Sequence, residues 1–250
     1  MPARRNDGRW RKRVAFLALA GILVSAGSGI PRFAAAHSTG AGSAGLAKAA
    51  VTVLDTSSFD FAPPDPGTYS LPPIKAAADG DILDGADKRR RLFDLMDGRI
   101  VVLSFIYTRC TAPGGCPLAT ATLFDILDET VGDTTMAGGL RLISLSFDPL
   151  HDVPEVMAQY GAAAALRPEP KPPWDFVTCE SDAALAPILK DYGQWVGRFA
   201  DPSDPDAALP HVLRVYLIDR NKMVRNIYGV GFLDPRLVVT DIRTLLLEQR

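Results

Sequence analysis

The chain has 250 residues, of which 47% are hydrophobic and 22% charged, enough apolar material for one substantial core or two small ones. This composition excludes a wholly disordered, collagen-like or multi-span membrane protein, and three cysteines are too few for a disulfide-built scaffold. The net charge of -2 conceals an asymmetry, because residues 1–36 hold seven of the 27 basic residues and one of the 29 acidic residues. The other 20 basic and 28 acidic residues make the body acidic, which argues against nucleic acid as a partner.

The amino-terminal segment has the pattern of an export signal. A basic stretch that ends at Arg13 is followed by an uncharged, mostly apolar run over residues 14–30 and then by small residues that end at Ala36. The apolar run is short for a membrane span, which needs roughly 20 residues. We expect cleavage after Ala36 or, alternatively, retention of the segment as a single membrane anchor. His37, which cleavage would place at the new amino terminus, is interpreted as part of a flexible tail.

Residues 37–73 have the composition of a flexible linker. Residues 38–50 are rich in alanine, glycine and serine, and residues 61–73 contain five prolines. Neither stretch can build a core. The sequence therefore predicts an export signal or membrane anchor over residues 1–36, a linker, and one domain over residues 74–250.

Strand and helix patterns alternate through the domain. Ile100–Ile106 is an apolar run rich in β-branched residues, typical of a strand buried on both faces, and Pro117 lies where helices begin. Asp152 and Glu155 have the spacing of a capping box at a helix start. The further predicted elements are strands over 142–147, 174–177, 212–219 and 223–230, a helix that begins near Ser181, and a last helix with an apolar stripe from Val238 to Leu246. Residues 83–93 can supply one more strand or a hairpin.

This order predicts the α/β class. We expect a central, mostly parallel sheet with helices on both faces, a closing β-hairpin and a carboxyl-terminal helix. Ligands of such sheets collect at the loops beyond the carboxyl ends of the strands, so the loop after Ile106 is the first candidate for a site.

That loop contains Cys110 and Cys116, between a buried strand and the start of a helix. Pro113, Gly114 and Gly115 allow the intervening residues to fold back, so the two sulfur atoms can approach each other. The free N–H groups at the helix start favour thiolate over thiol. These features predict a soft-metal clamp or a redox dithiol, and the third interpretation is a structural disulfide in an exported protein.

Two thiolates leave a copper or zinc site incomplete, and the body of the chain holds two histidines that could add a nitrogen donor. His211 precedes the predicted strand 212–219, and His151 lies just past the strand that ends at Phe147. In a parallel sheet both histidines can lie near the edge of the sheet at which the loop with the two cysteines begins. Spacing alone does not choose between them.

Three motifs, in order along the chain, resemble the Sco/SenC family of copper-delivery proteins. They are Tyr107-Thr-Arg-Cys110 through Cys116-Pro117, Ser146-Phe-Asp148-Pro149 through Glu155, and His211-Val-Leu-Arg-Val-Tyr216 through Asp219. The resemblance extends from about Leu83 to the carboxyl terminus. It implies a thioredoxin-like fold with an extra strand-helix insertion, and a location outside the cytoplasmic membrane, periplasmic or anchored to the outer face by one amino-terminal helix.

The same resemblance implies a copper-binding metallochaperone, which is not an enzyme in the turnover sense. Its copper, Cu(I) or Cu(II), would be held by Cys110, Cys116 and His211. An upstream copper donor would load it, and its client would be a copper protein such as the binuclear copper site of cytochrome oxidase subunit II. The alternative is a thiol-disulfide oxidoreductase, with Cys110 and Cys116 as the redox pair acting on the cysteines of an exported client. His211 distinguishes the two, because copper binding needs it and dithiol exchange does not.

One feature departs from the family pattern. The family usually has three residues between its cysteines, whereas five separate Cys110 from Cys116 here. A longer loop still permits two copper-sulfur bonds but can change their geometry, the affinity and the strain of a disulfide. The longer loop is therefore also compatible with a client other than cytochrome oxidase, namely another exported copper or thiol protein.

The remaining polar candidates are interpreted as structural. His151 is expected to be a surface histidine beside the helix start, and Cys179 a buried or half-buried bystander, since no partner motif surrounds it. Asp201, Asp204 and Asp206 lack the glycine and terminal glutamate of a calcium loop and are expected to form a solvated, mobile loop near His211.

Overall fold

The computed structural model of the chain describes residues 62–197 and 209–248. The strands are β1 (Lys75–Ala76), β2 (Asp81–Leu83), β3 (Arg89–Arg91), β4 (Ile100–Ile106), β5 (Leu140–Ser146), β6 (Trp174–Val177), β7 (Val215–Ile218) and β8 (Met223–Tyr228). The helices are α1 (Leu92–Met96), α2 (Cys116–Thr130), α3 (Thr134–Gly139), α4 (Pro154–Tyr160), α5 (Ala162–Ala165), α6 (Asp182–Tyr192) and α7 (Pro235–Glu248). The predicted export segment, His37 and the aspartates at 201, 204 and 206 lie outside the described residues.

Six strands form the central sheet, in the order β1-β8-β7-β4-β5-β6. β4, β5 and β6 are parallel neighbours, with Ile100 opposite Leu140 and Leu142 opposite Trp174. β7 lies antiparallel between β4 and β8, so β8 runs in the same direction as β4. Four of the six strands therefore share one direction, because only β7 and β1 run the other way. The predicted mostly parallel sheet, its closing hairpin β7-β8 and the last helix are confirmed.

Helices cover both faces of this sheet. All seven residues of β4 are buried, as expected for a strand between two helical layers. On one face the ring of Tyr192 in α6 meets Phe105 edge-on, with centroids 5.4 Å apart. On the other face Phe124 of α2 packs against Trp174, with centroids 4.8 Å apart. β4 thus lies inside a sheet covered on both faces, and the cysteine loop begins at its carboxyl end.

The strand or hairpin predicted over residues 83–93 is the hairpin β2-β3, which begins two residues earlier, at Asp81. In it Asp81 pairs with Arg91, and Leu83 pairs with Arg89. Leu83 and Thr178 also exchange two backbone hydrogen bonds, of 2.8 and 3.0 Å, which attach the hairpin to the chain just after β6.

The end of the predicted linker contacts the domain. The hydroxyl of Tyr69 donates to the carboxylate of Asp241 in α7, and the backbone N–H of Gly67 donates to Thr244 Oγ1 (3.0 Å). Asp241 is 1% exposed and also accepts from Asn226 (2.8 Å) and Tyr228 (2.6 Å). A buried carboxylate with three donors holds this part of the chain against α7.

Some element boundaries differ from the prediction. β7 begins at Val215, three residues later than the predicted strand. The short helices α3 and α5 were not predicted; α3 is capped by Asp133, whose side chain accepts from two backbone N–H groups. Ser181 caps α6 as expected, with its hydroxyl accepting from the backbone of Ala184 (3.3 Å).

Candidate metal site

Cys110 lies in the loop between β4 and α2, and Cys116 lies at the end of that loop, where α2 begins. The backbone N–H of Cys110 donates to the carbonyl of Tyr107 (3.2 Å), and that of Gly115 donates to the carbonyl of Ala112 (2.9 Å). Cys116 is the first residue of α2 and is 1% exposed, whereas Cys110 is 8% exposed. These two turns fold the loop back, and the sulfur atoms lie within 4.8 Å of each other.

His211 is positioned by a short segment that precedes β7. It forms an isolated antiparallel bridge with Val196, and the amide of Gln194 donates to the carbonyl of Val212 (2.7 Å). Gln194 is 5% exposed, so this hydrogen bond is protected from water. The chain after α6 therefore acts as a support for the histidine, which explains why β7 starts later than predicted.

The hydrogen bonds of His211 assign its tautomer. Its Nδ1 lies 2.8 Å from the carbonyl oxygen of Leu209, and because a carbonyl can only accept, Nδ1 carries the proton. Nε2 then carries the lone pair, and it accepts from the thiol of Cys116, whose sulfur lies 3.5 Å away. The ring is held by Tyr107 and Phe147, whose centroids are 5.6 and 5.0 Å away. A backbone acceptor on one ring nitrogen and a lone pair on the other, directed at the cysteines, are typical of a metal-binding histidine.

The choice between the two histidines is therefore made by geometry. Cys110, Cys116 and His211 bring one donor atom each within 4.8 Å of one another. His151 lies beside the start of α4, partly exposed, as predicted. Its Nδ1 lies 2.9 Å from Asp148 Oδ1 and 2.8 Å from the guanidinium of Arg109.

The predicted capping box at Asp152 is wrong. The N-cap of α4 is Val153, and no side chain caps this helix. Asp152 is fully buried and accepts from the backbone N–H of Thr108 (3.0 Å), the Thr108 hydroxyl and the Ser146 hydroxyl. The carboxylate thus ties the end of β5 to the start of the cysteine loop, a tertiary contact that outweighs the local pattern.

The expectation that the helix start favours thiolate is also wrong for Cys116. Burial raises the pKa of this thiol well above its usual range, although the backbone N–H of Tyr107 donates to the sulfur (3.4 Å) and acts in the opposite direction. A buried sulfur has lost the water that would stabilise its charge, and one weak donor does not replace it. Cys116 is therefore a protonated thiol at neutral pH until a cation takes the place of the proton.

The family is decided by the match to a model described as SCO1/SenC, which covers residues 83–247, about two thirds of the chain. The chain belongs to the SCO1/SenC family. The resemblance carried by the three motifs is thereby confirmed over nearly the range predicted for it. A comparison with curated proteins gives no match.

Solved structures similar to this SCO1/SenC chain include three Sco proteins. Bradyrhizobium japonicum ScoI with copper bound is 19% identical, with a TM-score of 0.55 over 68% of this chain and 99% of that one. Apo Sco1 of Thermus thermophilus is 22% identical, with a TM-score of 0.56 over 72% and 95%. Yeast Sco1 with copper bound is 17% identical, with a TM-score of 0.55 over 70% and 88%. At these identities the likeness concerns the fold, and the predicted thioredoxin-like fold is confirmed.

Gly115 lets this family member accommodate five residues between its cysteines. A Cβ atom on Gly115 would lie 3.1 Å from Cys110 Sγ, 3.2 Å from the Ala112 carbonyl and 3.4 Å from His211 Nε2. Two of these three atoms are candidate donors. The neighbouring Gly114 is unlike it, since a Cβ there would meet nothing closer than Val230, at 3.9 Å. Alanine at position 115 would therefore crowd Cys110 and His211, which would have to shift by a few tenths of an ångström.

Cys179 is buried at 2% exposure, as predicted, and its sulfur donates to the carbonyl of Asp81 (3.4 Å). Burial raises the pKa of this thiol to about 12, so it is an unreactive side chain at neutral pH. Sequence reasoning assigned no role to Gln194 or Asp148. Gln194 supports the segment of His211, and Asp148 accepts from Arg109 of the cysteine loop (3.0 Å). An aspartate directly after a buried strand was the available signal for Asp148, and nothing local pointed to Gln194.

Proposed function

We propose that this SCO1/SenC protein is a copper carrier that holds its cargo with Cys110, Cys116 and His211. The observation that carries the proposal is the convergence of two sulfur atoms and one imidazole nitrogen that carries a lone pair. Membership in the family supports it, and so does the copper bound in two of the structures named above.

The donor set suits copper in both oxidation states. Soft thiolates select Cu(I), and an added imidazole also accommodates Cu(II). Binding exchanges the proton of Cys116 for the metal, so the positive cargo replaces the proton that burial retains there. Tyr107 and Phe147 pack against the imidazole and fix its orientation toward the two sulfur atoms.

The proposal also states where the protein acts and which kind of protein receives its copper. Residues 1–36 act as an export signal or anchor, residues 37–73 as the linker, and residues 74–250 as the carrier domain outside the cytoplasmic membrane. A solved SCO1/SenC relative from Bacillus anthracis is a lipoprotein, and BsSco is a member of the Sco family of cytochrome c oxidase assembly proteins. The client is a copper protein, with the binuclear copper site of cytochrome oxidase subunit II as the first candidate. Within residues 62–197 and 209–248, no helix has the length and apolar character to cross a bilayer.

A second candidate is thiol-disulfide exchange by Cys110 and Cys116. The closeness of the two sulfur atoms favours it, and a disulfide switch is described for BsSco. Exchange does not need His211, so it leaves the convergence of the imidazole with the two sulfur atoms without a role. The copper carrier is therefore the first choice.

Copper stoichiometry of the reduced full chain tests the proposal. We expect about one Cu(I) per protein, with loss of binding in Cys110→Ala and in Cys116→Ala. Cys179→Ala is the matched control, because it removes a buried thiol that is no part of the donor set. Unchanged stoichiometry in Cys110→Ala would refute the proposal.

A further inference from the structure

Tyr107, which directly follows β4, contacts all three candidate copper donors. Its backbone N–H donates to Cys116 Sγ (3.4 Å), and its carbonyl accepts from the backbone N–H of Cys110 (3.2 Å). Its ring lies edge-on to the imidazole of His211, with centroids 5.6 Å apart and ring planes at 89°. Its hydroxyl hydrogen-bonds with the side chain of Cys110. One residue outside the donor set therefore touches every member of that set.

The position of the Tyr107 hydroxyl is fixed by the groups around the ring. Tyr107 is 5% exposed, and its ring packs against Phe147, with centroids 5.1 Å apart. The backbone N–H of Leu209 donates to the phenol oxygen, and the carbonyl of Leu209 accepts from His211 Nδ1 (2.8 Å). Phe147 and Leu209 thus hold both the phenol and the imidazole, so the two rings are oriented together.

The phenol keeps its proton at neutral pH. Burial and the neighbouring Cys110 raise the pKa of Tyr107, whereas the N–H of Leu209 acts in the opposite direction. A phenol oxygen that accepts from a backbone N–H still has its own proton to donate, and the sulfur of Cys110 is the acceptor beside it. Each of the two sulfur atoms therefore has one hydrogen-bond donor from Tyr107.

A hydrogen bond to a thiolate weakens the sulfur as an electron donor. Cu(II) draws more electron density from its sulfur ligands than Cu(I) does, so hydrogen bonds to these sulfur atoms change the reduction potential of a bound metal. The backbone of residue 107 donates to Cys116 whichever side chain is present. The donor to Cys110, in contrast, depends on the phenol, so one substitution can remove this hydrogen bond alone.

We propose that Tyr107 is a positioning residue that sets the oxidation state of the cargo, because its hydroxyl donates to the copper-bound sulfur of Cys110 and thereby favours Cu(I) over Cu(II). This inference rests on the proposed function. It adds a preference that the donor set alone does not give, since two thiolates and an imidazole accommodate both oxidation states.

Tyr107→Phe tests the proposal, because it removes the hydroxyl and keeps the ring and the backbone donor. Competition titrations of the reduced full chain measure the Cu(I) and Cu(II) affinities separately. We expect the ratio of Cu(I) affinity to Cu(II) affinity to fall about tenfold, which corresponds to a reduction potential lower by about 59 mV for one electron. The sulfur-to-Cu(II) charge-transfer absorption band should also move to longer wavelength, because the sulfur becomes the stronger electron donor.

Tyr160→Phe is the matched control. Tyr160 is also partly buried, but its hydroxyl pairs with the hydroxyl of Thr120 (2.8 Å), so its removal should leave the affinity ratio and the absorption band unchanged. Thermal unfolding of the apo proteins shows that both variants are folded. One lost hydrogen bond costs about 1 kcal/mol, so their Tm values should fall by only a few degrees.

The outcomes separate this inference from the function on which it rests. If the wild-type chain retains copper in neither oxidation state, the proposed function fails before the variants are compared. If copper is held and Tyr107→Phe has the affinity ratio and absorption band of wild type, the role of Tyr107 is overturned. Equal weakening of Cu(I) and Cu(II) binding also overturns it, because Tyr107 then supports only the shape of the site.

Discussion

Replacing Asp152 with alanine should loosen the cysteine loop and destabilise the fold. Asp152 is fully buried and accepts three hydrogen bonds, two from Thr108 and one from Ser146. Each buried donor left without an acceptor costs about 1 to 3 kcal/mol. Partial entry of water reduces the sum, so we expect a loss of about 3 to 5 kcal/mol in the free energy of unfolding, and a fall in Tm of about 10 °C.

Asparagine at position 152 should be much milder. Its amide oxygen can occupy the place of Oδ2 and accept from the Thr108 backbone and the Ser146 hydroxyl, while its NH2 group donates to the Thr108 hydroxyl after that group rotates. Since all the polar groups stay paired, we expect a loss of about 1 kcal/mol, which reflects the missing charge.

Urea and thermal unfolding of the reduced protein provide the assay. Asp128→Ala is the control, because Asp128 forms a partly exposed ion pair with Arg167, and such pairs contribute at most about 1 kcal/mol. Thr108 lies two residues before Cys110, so Asp152→Ala should also weaken Cu(I) binding at temperatures where the protein is folded. A stability of Asp152→Ala within about 1 kcal/mol of wild type would refute the reasoning.

Three further predictions concern the donors. Gly115→Ala should weaken Cu(I) binding by about tenfold or more in a competition titration, because its Cβ crowds Cys110 and His211. Gly114→Ala is the control and should leave binding unchanged. Equal effects of the two substitutions would contradict this prediction. Apparent Cu(I) affinity should rise with pH by at least about tenfold per unit near neutrality, because burial raises the pKa of Cys116 and the metal must displace its proton. The folding stability of the apo protein should fall as pH rises above 9, whereas the Cu(I) affinity rises. The reason is that the folded state retains the Cys116 proton that the unfolded chain loses near pH 9. Urea unfolding of the apo protein at several pH values measures this. Affinity independent of pH, or apo stability rising there, would contradict this assignment.

The architecture was predictable because its signals are local. Ile100–Ile106 is apolar at every position except Ser104, and it forms a strand buried on both faces. The spacing of apolar residues and the position of Pro117 marked α2, which begins one residue earlier, at Cys116. Short helices such as α3 were missed because one capping aspartate and a single buried methionine give too weak a pattern.

The site could be predicted only in part, since its assembly depends on contacts between distant segments. The resemblance implied His211 as a ligand, but spacing could not choose it over His151, because its position depends on the bridge to Val196. Asp152 has the sequence spacing of a helix cap, yet its acceptor capacity is taken by Thr108 and Ser146. The protonation of Cys116 follows from its burial, which a loop sequence does not encode.

The central claim is that three side chains, including His211, hold copper. A Cu(I) competition titration of the fully reduced chain tests it most directly, with wild type, His211→Ala and His151→Ala compared. We predict affinity reduced by about tenfold or more in His211→Ala and nearly unchanged in His151→Ala. Weak, histidine-independent binding in all three proteins would contradict the account and favour thiol-disulfide exchange.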